Sequence, residues 1–265
     1  MAESFETILL TVDGSFASIT LNRPEVKNAM NAQMVLDLIA AFDALAERRE
    51  VRAVVLSGAG GTFCAGGDIK ELAVALQNGG MDANPTALDT LLRRVNEAPQ
   101  VVIARVEGAA MGGGFGLVCV SDIAIARTDT KFGLPEVRLG IVPALISPYV
   151  IQRLGLTRAR ELMLTGRRIN GDEAKAYGLV HEVYLPNDLD AHMGILLDEL
   201  RECSPAALAA CKQLMFEVAG KAPEETVNYR AELLGQLRMS QDGQEGMMAF
   251  AQKRPPKWAE KDVKS

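Results

Sequence analysis

The sequence predicts an α/β fold with an α-helical C-terminal region. Three observations carry that expectation. Short apolar, β-branched runs alternate with helical periodicity over the first half of the chain. From about Ser147 onward the periodicity is helical almost throughout. Two glycine-rich turns, Ala65-Gly66-Gly67-Asp68 and Gly112-Gly113-Gly114, each follow an apolar run and lead into a helix.

The elements follow in order. Residues 8–12 and 16–21 alternate around Asp13-Gly14 and read as a β-hairpin. Arg23-Pro24 breaks the second strand, because proline has no amide donor. Asn31 caps a helix running to about Arg48, with Met34, Leu38, Phe42 and Leu45 on its apolar face. Residues 51–56 read as a short buried strand, and Asp68 as the N-cap of the helix that follows the first glycine turn. Glycine, asparagine and proline in residues 77–85 mark a mobile loop, and residues 86–97 a helix. Strands at 101–106 and 123–126 flank the second glycine turn and a short helix through Cys119. Helices are expected at 156–165, at 172–177 with Gly178 as C-terminal cap, and at 187–203, 205–218, 224–239 and 242–253. The last opens with Asp242 and Glu245 at capping-box spacing.

Composition excludes several function classes. The chain has 265 residues, 48% hydrophobic and 23% charged, an ordinary globular balance with length enough for a sizeable core. A net charge of −6 and a pI near 5.2 argue against nucleic-acid binding. No apolar stretch approaches the roughly 18 residues of a membrane span. Residues 1–10 carry acids and no signal pattern, so a cytoplasmic protein is expected. Cys64, Cys119, Cys203 and Cys211 read as reduced and mostly packed, although Cys64 touches the first glycine turn and a reactive thiol stays open there. His181 lies in the alternating stretch 179–183 and reads as a half-exposed strand residue rather than a metal ligand. No metal, nicotinamide or flavin site is expected.

The glycine turns carry the chemistry. Backbone N–H groups in the first turn of a helix have no helical partner, and glycine lets a ligand approach them closely. Two such turns converging on one oxygen would stabilise developing negative charge. Gly112-Gly113-Gly114-Phe115-Gly116 fits neither a phosphate loop nor the dinucleotide fingerprint, since no Lys-Ser/Thr follows and Leu117 takes the last glycine position. The alternative is tight strand–helix packing without a ligand. Glu136 follows a proline amid apolar residues, where burial would raise its pKa and make it a general acid or base. The alternative there is a surface glutamate in a turn.

The segments 58–72, 106–122 and 132–140, with Leu21-Asn22-Arg23-Pro24 and Asn28-Ala29, resemble the enoyl-CoA hydratase/isomerase (crotonase) family. The resemblance implies a spiral of ββα turns with a helical C-terminal region, assembled as a homotrimer or as a hexamer formed from two trimers. It implies a core over residues 1–200 and a trimerising, CoA-capping region over 201–265. It implies that the N–H groups of Gly67 and Gly113 bind the thioester oxygen of an acyl-CoA, with Glu136 as the acid–base group and Gly66, Gly112 and Gly116 among the substrate-binding positions. Lys27, Ala29, Ala65, Asp68 and Ile69 match positions along the CoA path. Phe250, Lys253 and the basic tail through Trp258 resemble the part that meets the CoA nucleotide; a solvated, disordered end is the other reading of that tail. Coenzyme A would enter as part of the substrate, with no separate cofactor.

The chain also departs from the family pattern. Family hydratases hold one water between two glutamates. Glu136 matches the second, but the first falls on Gly116. Pro143-Ala144-Leu145-Ile146-Ser147-Pro148 replaces a glycine-rich run, and Ala144 stands where dehalogenases of the family carry a nucleophilic aspartate. Gly112 to Leu117, Pro135 to Gly140 and Ser147 to Val150 look like the glutaconyl-CoA hydratases, including those acting on the isohexenyl compound of acyclic terpene degradation. A substrate carboxylate filling the space at Gly116 or helping to hold water would then explain the missing glutamate, with Arg138 as its counter-ion. The alternatives are a Δ3-Δ2-enoyl-CoA isomerase using one glutamate and an inactive acyl-CoA-binding protein.

Overall fold

The fold begins with the expected hairpin. In the computed structural model, which describes residues 5–77 and 85–259, β1 (Ile8–Asp13) and β2 (Phe16–Leu21) pair antiparallel. Gly14 and Ser15 form the two-residue loop, with Gly14 at φ 54°. Asn31 then caps α1 (Ala32–Ala46) through its side chain, which accepts from the Met34 N–H, and Met34, Leu38, Phe42 and Leu45 are all buried.

The rest of the N-terminal half repeats one pattern of large-sheet strand, short second strand and helix. β3 (Ala53–Gly58) leads to Cys64, which bridges Ala110, and then to α2 (Ile69–Gln77). After α3 (Pro85–Glu97), β4 (Val101–Val106) leads to β5 (Ala109–Met111) and α4 (Gly113–Val120). β6 (Ile123–Arg127) leads to β7 (Lys131–Gly133), the 3-10 turn Pro135–Leu139 and α5 (Ser147–Thr165). This is the expected spiral of ββα turns. β8 (Arg168–Ile169), α6 (Gly171–Ala176) and β9 (Glu182–Tyr184) complete the sheets. The larger sheet runs β1-β2-β3-β4-β6-β9, parallel from β2 onward, and the smaller runs β5-β7-β8. The larger sheet's central strands β3, β4 and β6 are buried on both faces, as parallel strands usually are. Val54, Leu56 and Ala104 join the main core with α1, α3 and α4. Ala53, Val55, Ile103 and Ile125 face the other way, onto Leu189, Met193 and Leu200 of α7 (Leu189–Arg201).

Helices α8 (Pro205–Val218), α9 (Val227–Met239) and α10 (Gln241–Ala251) follow. α8 is fastened to the sheet by Lys212, whose buried ammonium donates to Asp122 Oδ2 at 2.7 Å and to the Gln100 carbonyl at 3.2 Å.

Several expectations are corrected. α5 starts at Ser147, with Pro148 in its first turn, and breaks internally at Gly155 (φ 70°). The capping residue of α10 is Ser240, which accepts from Gly243 N–H; Asp242 accepts from Ser204, and Glu245 pairs with Arg254. The tail is not a disordered end as far as Ala259: Arg254 and the Lys257 N–H hold Glu245, and the Trp258 indole donates to the Glu202 carbonyl at 3.0 Å. His181 is exposed and precedes β9; its Nδ1 accepts from the Ala124 N–H. Cys64 and Cys119 are packed, but Cys211 is exposed. Most of the loop expected at 77–85 lies outside the described residues. Among the described residues, no helix is long and apolar enough to cross a membrane.

Candidate active site

The two glycine turns lie side by side because the strands before them pair. Cys64 N–H donates to the Ala109 carbonyl at 2.9 Å, and Met111 N–H to the Cys64 carbonyl at 3.0 Å. This brings Gly66 against the second turn: a Cβ on Gly66 would stand 3.1 Å from the Met111 carbonyl oxygen. Gly66 (φ 101°) and Gly112 (φ 48°) hold backbone conformations that a side chain would oppose.

Residues 27–30 pin the first turn from its other side. Ala65 N–H donates to Lys27 O at 3.0 Å, Met30 N–H to Gly66 O at 2.7 Å, and Asp68 N–H to Met30 O at 2.9 Å. Lys27, Ala29, Ala65, Gly66 and Asp68 are therefore one assembly. Its bonds run through residues 66 and 68, so the N–H of Gly67 points out of the ladder. Gly113 opens α4, where no helical acceptor precedes it. Neither N–H has a hydrogen-bond acceptor among the described residues. Gly67 is exposed and Gly113 partly so.

Arg23 and Asn28, to which the sequence assigned no role of their own, build this scaffold. Lys27 and Asn28 adopt left-handed φ of 54° and 55°, a conformation that costs about 1–3 kcal/mol each. Buried Asn28 offsets this by accepting from Arg23 N–H and donating to the Ala59 and Thr62 carbonyls at 2.8 and 2.6 Å. Arg23 donates to the Ala29 carbonyl at 2.6 Å and pairs with Asp68 at 3.0 Å. Asp68 also caps α2, accepting from Lys70 N–H, as expected. Burial raises the Asp68 pKa, but Arg23 and the capping N–H groups outweigh it and hold the carboxyl below its ordinary value. The motif Asn22-Arg23-Pro24 with Asn28-Ala29 was the available signal.

Glu136 enters from the 3-10 turn Pro135–Leu139, which Pro135 opens and left-handed Gly140 closes. Its carboxyl lies over Gly112: a Cβ there would stand 2.9 Å from Oε1. Oε2 is buried without a hydrogen-bond partner, and burial pushes the Glu136 pKa up. An unpartnered carboxyl of raised pKa beside two free N–H donors is equipped to move a proton next to a stabilised oxyanion.

Gly116 differs from expectation. It sits one turn along α4, its N–H donating to the Gly112 carbonyl at 3.0 Å. The space beside it is filled. A Cβ there would overlap Ile146 Cγ2, lie 3.0 Å from Ile146 Cβ and 3.6 Å from Leu92 Cδ2. A substrate carboxylate therefore has no room in that seat. Arg138 is also engaged elsewhere: Nε and Nη2 donate to the Thr165 carbonyl at 3.2 and 3.1 Å, at the end of α5 where carbonyls lack helical partners. Cys64 is no reactive thiol. It is buried, its pKa is pushed up to about 11 by that burial, and its Cβ packs where a side chain at Gly114 would begin. Ile69, 56% exposed, opens α2 beside Asp68. Phe250 (87% exposed) and Lys253 belong to the α10 end of the chain and, among the described residues, make no hydrogen bond with the glycine turns.

Residues 11–261 match the enoyl-CoA hydratase/isomerase family, and the chain belongs to that family of enzymes. The structure of AtuE from Pseudomonas aeruginosa is similar at a TM-score of 0.92 with 46% identity, covering 96% of this chain and 100% of that one. An enoyl-CoA hydratase/isomerase from Marinobacter aquaeolei is similar at 0.91 with 44% identity, covering 96% and 99%. A trans-2-decenoyl-acyl-carrier-protein isomerase from Streptococcus mutans is 28% identical over 262 residues, 97% of this chain and 99% of the relative.

Proposed function

We propose that this chain is an enoyl-CoA hydratase acting on a branched, carboxylated enoyl-CoA of glutaconyl type, such as the isohexenyl compound of acyclic terpene degradation. The N–H groups of Gly67 and Gly113 receive the thioester oxygen, and Glu136 handles the protons. Glu136 takes a proton from water as the water oxygen bonds to Cβ. The alkene π pair moves toward the thioester oxygen, giving an enolate held by the two N–H donors. Glu136 then returns its proton to Cα, which regenerates the carboxylate and the thioester carbonyl. Each donor contributes about 3–4 kcal/mol to such an oxyanion. Lys27, Ala29, Ala65, Asp68 and Ile69 line the CoA path. Phe250 and Lys253 serve a neighbouring protomer of a homotrimer or hexamer, in the cytoplasm.

One observation supports the substrate class. Ile146 and Leu92 make an apolar wall beside Gly116, one turn along α4 from the Gly112 that Glu136 touches, so the attacking water lacks a second protein carboxylate at that position. A carboxylate carried by the substrate supplies that partner from within the acyl pocket, short of the Gly116 seat. The same dry wall also favours a second reading, a Δ3-Δ2-enoyl-CoA isomerase in which Glu136 moves a proton from Cα to the γ carbon without water.

Absorbance of the enoyl-thioester band separates these readings. 3-Methylglutaconyl-CoA, crotonyl-CoA and a 3-enoyl-CoA are each supplied to the enzyme. Loss of the band with 3-methylglutaconyl-CoA supports the hydratase. A gain of the band with the 3-enoyl-CoA alone replaces it with the isomerase.

A further inference from the structure

We propose that Ile146 makes hydration depend on the substrate's own carboxylate. It fills the seat at Gly116 and thereby bars enoyl thioesters that bring no carboxylate. This rests on the glutaconyl-type reading above.

Gly112 is the N-cap of α4 and Gly116 stands one turn in, its N–H donating to the Gly112 carbonyl at 3.0 Å. The 112 position touches the Glu136 carboxyl, and the 116 position meets Ile146. That spacing suits a water held between Glu136 and a second polar group at 116. Ile146 removes both the group and the room. It is 3% exposed and occupies the N-cap position of α5, where its carbonyl accepts from Val150 N–H at 3.0 Å and Pro148 fixes the first turn. Being β-branched, it has few rotamers by which to move aside. Its surface accepts no hydrogen bond. A water approaching Cβ therefore has Glu136 on one side and the apolar Ile146 in the Gly116 seat, so its second polar partner comes from the substrate. Gly116 and Ile146 act as a couple: an acid at 116 is compatible with a small residue at 146, and an isoleucine at 146 requires glycine at 116.

The test compares hydration of crotonyl-CoA and 3-methylglutaconyl-CoA by wild type, Gly116→Glu, Ile146→Val, Ile146→Ser and the double variant Gly116→Glu/Ile146→Ala. Gly116→Glu alone is expected to lose thermal stability, because its Cβ overlaps Ile146. The double variant is expected to recover stability and to raise kcat/KM for crotonyl-CoA by about a hundredfold, the scale of one general acid–base group. Ile146→Val keeps the wild-type ratio of the two substrates. If the double variant does not fold, Ile146→Ser still opens a polar space beside an intact Gly116, and the crotonyl-to-glutaconyl ratio must rise about tenfold. A purely structural role for Ile146 would lower Tm and both rates together and leave the ratio unchanged. A wild-type ratio in the folded double variant, or in Ile146→Ser, overturns the proposal. Failure of wild type to hydrate 3-methylglutaconyl-CoA overturns the substrate reading instead, and the crotonyl-CoA gain in the double variant is measured independently of it.

Discussion

Glu136 Oε1 lies 2.9 Å from the point where a β-carbon on Gly112 would stand. The Glu136 carboxyl and the glycine turn that leads into Gly113 are thus in contact, and a methyl group cannot be added between them without moving one. Gly112→Ala adds that methyl group at a φ of 48°. The expected outcome is a kcat loss of about a hundredfold or more with the fold retained, measured by steady-state kinetics beside circular dichroism. Unchanged kcat would mean that Glu136 does not work from this position.

Burial raises the Glu136 pKa, and this has one sign for activity and one for stability. As a base Glu136 must be ionised, so kcat/KM should rise with pH through a pKa above the ordinary glutamate value of 4.5. A group whose folded-state pKa is raised favours the fold most below its unfolded pKa and loses that contribution as pH rises through the folded value. Glu136→Gln should therefore gain Tm relative to wild type near neutral pH and lose that advantage in acid. The same variant should keep less than about a tenth of the activity. Higher residual activity would remove Glu136 from the proton-transfer role.

Gly113 is the first residue of α4, a position where proline is tolerated and its missing N–H breaks no helical bond. Gly113→Pro should delete one oxyanion donor, lowering kcat by about a hundred- to a thousandfold while CoA binding by calorimetry persists. Full kcat in a folded Gly113→Pro enzyme would exclude that N–H from the oxyanion site.

Lys212 ties the helical region to the sheet that carries the turns. Lys212→Met retains the stem but takes the buried ammonium away from half-buried Asp122, 2.7 Å distant, which keeps, among the described residues, only its hydrogen bond from the Val102 N–H. Breaking a buried pair this way costs about 3 kcal/mol, so Tm should fall by roughly 6–12 °C with activity unchanged at low temperature. A shift below a degree would show that α8 is held by its apolar contacts alone.

Much of this was legible in the sequence because it is local. Period-two alternation around Asp13-Gly14 marked the hairpin, and Asn31 before a helical stripe marked α1. Two glycine turns and Glu136 marked the site, since each has an unusual backbone requirement or an out-of-place charge. β5, β7 and β8 were missed because strands of two or three residues carry no period. The start of α5 was placed late because Gly155 interrupts its pattern. Ile146 in the Gly116 seat was beyond reach for another reason: a glycine in sequence reads as empty space, and only the packing of the α5 start against α4 fills it. Likewise, Arg138 looked available until the end of α5 was seen to occupy it.

The most direct measurement is proton NMR of the product formed from 3-methylglutaconyl-CoA in D2O. Hydration through Glu136 predicts a 3-hydroxy thioester carrying one deuterium at Cα, absent with Glu136→Gln. Recovery of unreacted substrate by an enzyme that converts a 3-enoyl-CoA would contradict it.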